Sequence, residues 1–161
     1  MFSFLKLYIV MHLMSVNGLS AEEQKMLDLH NQARKEVGVA PLEWSNDLAE
    51  LAQDWADHLV KTNVMKHRPS KGRYGSETGE NLAWFSSKRE LSDGFEMWYE
   101  EKQYYNGKTG RCLGKTCGHY TQVVWKTTQK VGCGCAETKS GGFIVVCNYS
   151  PSGNWSNEKA Y

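Results

Sequence analysis

Helical periodicity early in the chain and β-branched runs late in it predict an α+β domain, with helices covering an antiparallel sheet. Two apolar stripes at helical spacing lie before residue 61, and two strand-like runs flank the turn-prone Thr138-Lys-Ser-Gly141. The length of 161 residues fits one domain, which at that size buries roughly 68–70% of its unfolded surface. Charged residues at 23% and aromatics at 12% exclude a disordered chain. With 19 Lys+Arg against 18 Asp+Glu, the chain lacks the basic surface that phosphate backbones require, so no nucleic-acid partner is expected.

The elements follow in order. Met26, His30, Ala33 and Val37 are spaced by three and four, which predicts a helix over residues 21–37 that Gly38 stops. Leu48, Leu51, Ala52, Trp55, Leu59 and Val60 repeat the pattern over 46–60. Ser87 with Glu90 three residues on reads as a capping box opening a third helix, whose stripe is Leu91, Phe95, Trp98 and Tyr105. Glu80–Phe85 is a candidate strand, Thr121–Trp125 suits a strand or a helix, and Lys130–Ala136 with Gly142–Asn148 reads as a hairpin.

Residues 1–20 have the layout of a secretory leader. Lys6 precedes the apolar run Leu7–Met14, and Gly18 and Ser20 stand at −3 and −1 of a cleavage before the charged Ala21-Glu-Glu-Gln-Lys25. The domain would then cover 21–161, neutral overall, in a secreted extracellular protein. Cys112, Cys117, Cys133, Cys135 and Cys147 suit an oxidising compartment, and their spacings do not match structural zinc sites. An odd count leaves one thiol over or implies a bridge between chains. Cys133 and Cys135 share one strand face, so spacing allows either to pair with Cys147. Asn148 and Asn154 open formal glycosylation sequons.

Four polar residues stand out: His67, Glu80, Glu101 and His119. None belongs to an HExxH helix, a GxSxG elbow or a phosphate-cradling glycine loop. His30, on the buried side of the first helix, reads as structural, and His58 as a surface residue. At ~100° per residue Glu101 lies about 80° from the middle of the third stripe, whereas Glu100 lies about 180° away in solvent.

Gly118-His-Tyr-Thr-Gln-Val-Val-Trp125 and Val146-Cys-Asn-Tyr-Ser-Pro-Ser-Gly-Asn-Trp155 closely resemble the two signature motifs of the CAP superfamily. That group holds the cysteine-rich secretory proteins, antigen 5 venom allergens and plant pathogenesis-related 1 proteins. Leu29-His-Asn-Gln-Ala-Arg34, Gly79-Glu-Asn-Leu-Ala83 and Trp98-Tyr-Glu-Glu-Lys102 resemble further CAP segments in the expected order. The resemblance implies a three-layer α–β–α sandwich with a central cleft. It also implies that His67, Glu80, Glu101 and His119 line that cleft and can hold a divalent metal, commonly zinc. Disulfides Cys112–Cys117 and Cys133–Cys147 are implied in the same way, with Cys135 left as a thiol through which a dimer could form. Some relatives have a further bridge from the end of the second helix. Asn63 stands at that position here, which points away from the plant and venom branches.

Relatives bind sterols through the loop before the GHY motif, or fatty acids between helices. Tyr104, Tyr105 and Leu113 are the matching loop candidates for an apolar ligand, beside the basic Lys108, Arg111 and Lys115. No Ser or Thr sits in a motif that supplies a base and an oxyanion hole. The leading expectation is a secreted, non-enzymatic domain that binds a lipid or an extracellular protein. The alternatives are a metal-dependent hydrolase using the His/Glu cleft and a defence or allergen-like effector acting on a receptor.

Overall fold

The computed structural model describes residues 18–69 and 78–161. The expected leader, apart from Gly18–Ser20, falls outside these residues, as does most of the hydrophilic segment between His67 and Gly79.

Among the described residues, four helices and six strands carry the fold. They are α1 Ala21–Glu36, β1 Glu43–Trp44, α2 Asn46–Thr62, β2 Gly79–Phe85 and α3 Asp93–Glu100, then β3 Tyr105–Asn106, β4 Arg111–Cys112, α4 Gly118–Val123, β5 Lys130–Glu137 and β6 Phe143–Ser150. The main sheet runs β1-β5-β6-β2. It is antiparallel except at one edge, where β1 pairs parallel to β5.

β6 shows how one strand serves two layers. Phe143, Val145, Cys147 and Tyr149 enter the core under α1, α3 and α4, while Ile144 and Val146 alternate onto Ala52, Trp55, Ala56 and Leu59 of α2. β5 divides its faces by residue size. Gly132 and Gly134 meet the backbone of α2, while Cys133 on the other face bridges to Cys147 directly opposite. This is the three-layer sandwich expected from the motifs.

Ser20 caps α1 reciprocally: its Oγ accepts from Glu23 N at 3.3 Å and its N–H donates to Glu23 Oε2 at 2.7 Å. α2 ends on Asn63 in the left-handed region at φ 54°, a conformation Asn tolerates well.

Two local expectations change, and one open alternative is settled. The third helix starts at Asp93, not Ser87. Glu90 is drawn instead to Lys25 on α1 at 2.8 Å, and its backbone N–H donates to Asp93 Oδ2. Thr121–Val123 is helical, because the segment starts as α4 at Gly118. His58 is half-buried with its ring stacked on Trp55 at 4.5 Å, rather than a free surface residue.

Candidate functional site

The structure sets the four singled-out residues in two hydrogen-bonded His–Glu pairs. His67 Nδ1 lies 2.8 Å from Glu80 Oε1, and His119 Nδ1 lies 2.8 Å from Glu101 Oε1. Trp55 positions the first pair from α2. Its Nε1 donates to Lys66 O, and the Arg68 guanidinium stacks over its ring at 4.8 Å. Arg68 N then donates to Glu80 Oε1, and Glu80 Oε2 is buried without a hydrogen-bond partner among the described residues.

The second pair belongs to a helix terminus. Glu101 sits in a 3-10 turn, Glu101–Tyr104, directly after α3. Its Oε2 accepts from His119 N at 2.8 Å and Tyr120 N at 3.2 Å, the free amides of the first turn of α4. Burial pushes the Glu101 carboxyl up, but the His119 imidazole and these two amides outweigh it and hold it below its ordinary value. The hydrogen bond that His67 donates to Glu80 raises its imidazole above its ordinary value against the opposing effect of burial.

Donor types of this kind suit zinc. Among the described residues, however, no three or more His, Cys, Asp or Glu side chains are gathered closely enough to hold a metal. Each carboxylate gives an oxygen to its own imidazole and accepts from backbone amides, while Glu80 Oε2 stays unpartnered among the described residues.

A buried polar chain behind the second pair escaped the sequence reading. His30 Nδ1 lies 2.8 Å from Met26 O, so it must donate, and Nε2 therefore accepts from Tyr149 OH at 2.9 Å. Asn81 Nδ2 donates to Tyr149 OH and to His119 O. Asn81 and Tyr149 lay within the GEN and CNY segments, beside the acidic residue and the cysteine that drew attention. His30 is structural, as expected.

Burial, helped by the Arg34 charge, pushes the His30 imidazole down to about 4 from 6.5. Between those values the unfolded chain binds a proton that the native chain refuses, so stability falls as pH falls through that window. The loss is about 3 kcal/mol by proton linkage. Urea unfolding at pH 7 and at pH 4 should show it, and a His30→Gln variant should lack this part of the dependence.

The bridges are Cys112–Cys117 and Cys133–Cys147, with Cys135 a half-buried thiol. Burial, with Glu22 and Asp57, pushes that thiol above its ordinary value. Asn148 is buried within β6, which denies a glycan to the first sequon.

The loop candidates have separate placements. Tyr105 packs its ring against Tyr120 and Tyr161 and accepts from Ala160 N. Tyr104 OH accepts from Lys115 Nζ at 3.1 Å, and Leu113 is exposed.

An apolar cleft of about 320 Å³ lies between α1 and α3. Ala33 and Phe95 are its buried residues, Leu29 and Tyr99 are half-buried beside them, and Gln32, Glu36, Glu96 and Glu100 complete the lining. Ala33, small between Leu29 and Glu36 on one helical stripe, is the sequence signal for it. Glu36 Oε2 accepts from Lys102 Nζ and Tyr99 OH, both at 2.6 Å, which ties the C-terminal ends of the two helices together.

Comparison with known proteins places these features. The family model described as Cysteine-rich secretory protein family (CAP) matches residues 27–149. Pathogenesis-related protein 1A of Nicotiana tabacum is 41% identical over 140 residues, spanning 86% of this chain and 80% of that protein. Pathogenesis-related protein 1 of Arabidopsis thaliana is 43% identical over 138 residues, with 86% and 81% covered. These relatives overturn the expectation that Asn63 separates the chain from the plant branch: Asn63 closes α2, and the plant relatives match across it. Venom allergen-like protein 4 of Schistosoma mansoni superposes with a TM-score of 0.72 at 27% identity, covering 89% of this chain and 95% of that one. The structure of NaASP2 with Zn2+ gives 0.69 at 27% identity, covering 91% and 88%. Motifs, sheet order and relatives agree, and the chain belongs to the cysteine-rich secretory protein (CAP) family.

Proposed function

We propose that this chain is an exported, defence-type CAP protein that works by holding a lipid and not by turning over a substrate. Its pathogenesis-related relatives and its two disulfides support export and the defence setting. The observation that carries lipid binding is the α1–α3 cleft. It is concave, floored by apolar side chains and of the volume that small ligands occupy.

Equilibrium binding of labelled cholesterol and of a labelled decyl-chain lipid to the purified protein tests this reading. Saturable binding should be lost in Gln32→Trp, which covers the cleft from its exposed rim, and kept in Tyr104→Ala/Leu113→Ala. Loss in the loop variant alone would move the site to the loop. Failure of every lipid would end the reading and turn the search to an extracellular protein partner.

A weak divalent-cation site is a second reading, favoured by the buried, unpartnered Glu80 Oε2 beside the His67 imidazole and by the zinc-bearing neighbour. His67 with Glu80, and His119 with Glu101, stand as separate pairs in this structure, so holding one ion would require the two pairs to draw together, with one nitrogen of each imidazole still outside its Glu pair. The ion would supply positive charge between paired carboxylates. His67→Ala/His119→Ala is expected to abolish zinc uptake in equilibrium dialysis, and unchanged uptake would remove these residues from the site.

A further inference from the structure

We propose that the α1–α3 cleft selects a single-chain amphiphile with an ammonium head group over the matching carboxylate. This rests on the lipid-holding reading and adds the class of head group. The apolar parts of the lining, Ala33, Phe95, Leu29 and Tyr99, fit an aliphatic chain and carry no charge preference.

The rest of the lining does. Glu36, Glu96 and Glu100 all border the cleft, and no Lys or Arg does among the described residues. Lys102 is a neighbouring cation, and its Nζ is already bound to Glu36 Oε2 at 2.6 Å and Tyr99 OH at 3.0 Å. Those same contacts hold the Glu36 carboxyl below its ordinary value, so it is ionised at neutral pH. Neither Glu96 nor Glu100 has an ion pair among the described residues.

Helix direction adds to the same sign. Lys25 meets Glu90 just before α3, and Glu36 meets Tyr99 and Lys102 at its end, so α1 and α3 run side by side in one direction. Their C-terminal ends, where backbone carbonyls concentrate negative potential, converge at the Glu36/Glu100 end of the cleft. An alkyl carboxylate entering there meets two uncompensated carboxylates and two helix C-termini. An alkylammonium meets the same groups as partners.

The test compares decylammonium, decanoate and decanol by calorimetry at low salt and pH 7, below their aggregation concentrations. Decylammonium should bind about tenfold more tightly than decanoate, and added salt should shrink that ratio because exposed charges are screened. In Glu96→Gln/Glu100→Gln, both exposed and away from the core, the ratio should fall to about twofold, with decanol affinity unchanged. Equal or tighter binding of decanoate would overturn the head-group assignment while leaving the lipid reading intact. A preference that survives the double variant would also overturn it. If none of the three compounds binds, the cleft reading and this inference fall together.

Discussion

Exchanging Arg34 for Met is expected to remove about 3 kcal/mol of stability, because it leaves the buried Val123 and Thr128 carbonyls unpaired at ~1–3 kcal/mol each, while Trp125 O keeps the Thr128 N–H and Ala40 O is only part-buried. The Arg34 side chain is fully buried, without a carboxylate among its hydrogen-bond partners. Its Nε donates to Ala40 O at 2.7 Å, one Nη to Val123 O and Trp125 O at 3.0 Å, and the other Nη to Thr128 O at 2.9 Å. Val123 and Trp125 close α4, and Thr128 leads into β5, so one guanidinium joins the end of α1 to the whole α4–β5 connection. Burial pushes it down to about 10, still protonated at neutral pH. Set against a typical total of ~5–15 kcal/mol, the loss is a large fraction of what holds the protein folded. Arg34→Lys should recover less than half, since an ammonium cannot present a planar fork to four acceptors. Urea denaturation of both variants measures this. A loss below about 1 kcal/mol for Arg34→Met would mean that water enters and replaces the fork.

Gly132→Ala is expected to cost about 3 kcal/mol, at the upper end of overpacking losses. A Cβ at Gly132 would lie 2.2 Å from Ala49 N, 2.4 Å from Ser45 O and 2.6 Å from Leu48 C, all backbone atoms of the first turn of α2. No rotamer change relieves such a contact, so the turn itself must lift. It is tied down where it begins, because Ser45 N donates to Val131 O on β5. Gly118→Ala is the contrast: the nearest atom to its added Cβ is Asn154 Nδ2 at 3.9 Å, and stability should stay within about 0.5 kcal/mol. Thermal unfolding of the two variants side by side separates them. Similar melting temperatures would mean that α2 does not rest on β5 as tightly as described.

Where local pattern and tertiary packing ask for the same residue, the fold was legible. The stripes of α1 and α2 face the core as their spacing predicts, and GFIVVCN alternates between two buried layers. The third helix was misplaced because Ser87 and Glu90 satisfy a local rule that a distant residue overrides: Lys25, 65 positions away, claims the Glu90 carboxylate. β1 escaped notice because two residues carry no periodicity, and the parallel pairing with Lys130 and Val131 alone defines it.

The site was half legible. Titratable side chains advertise themselves, so His67, Glu80, Glu101 and His119 stood out, and each His does meet a Glu. What spacing could not convey is that Glu101 serves backbone amides as much as an imidazole. Helix geometry chose Glu101 over Glu100, yet it lies in a 3-10 turn where successive residues advance by more than 100°. The α1–α3 cleft was invisible for a different reason: a groove is made of missing volume, and Ala33 reads as a core residue until its neighbours are placed.

The chain from Met26 through His30, Tyr149 and Asn81 to the His119 carbonyl ends on an acceptor at both extremities. Asn81 uses both amide hydrogens as donors, to Tyr149 and to His119, and an amide nitrogen has no proton to relay. The assembly is therefore a strut and not a wire. It transmits position between the two histidines while insulating the protonation of one from that of the other. Titrating the His119 ring should leave the His30 Nδ1–H resonance in place, although the two residues share one continuous line of hydrogen bonds.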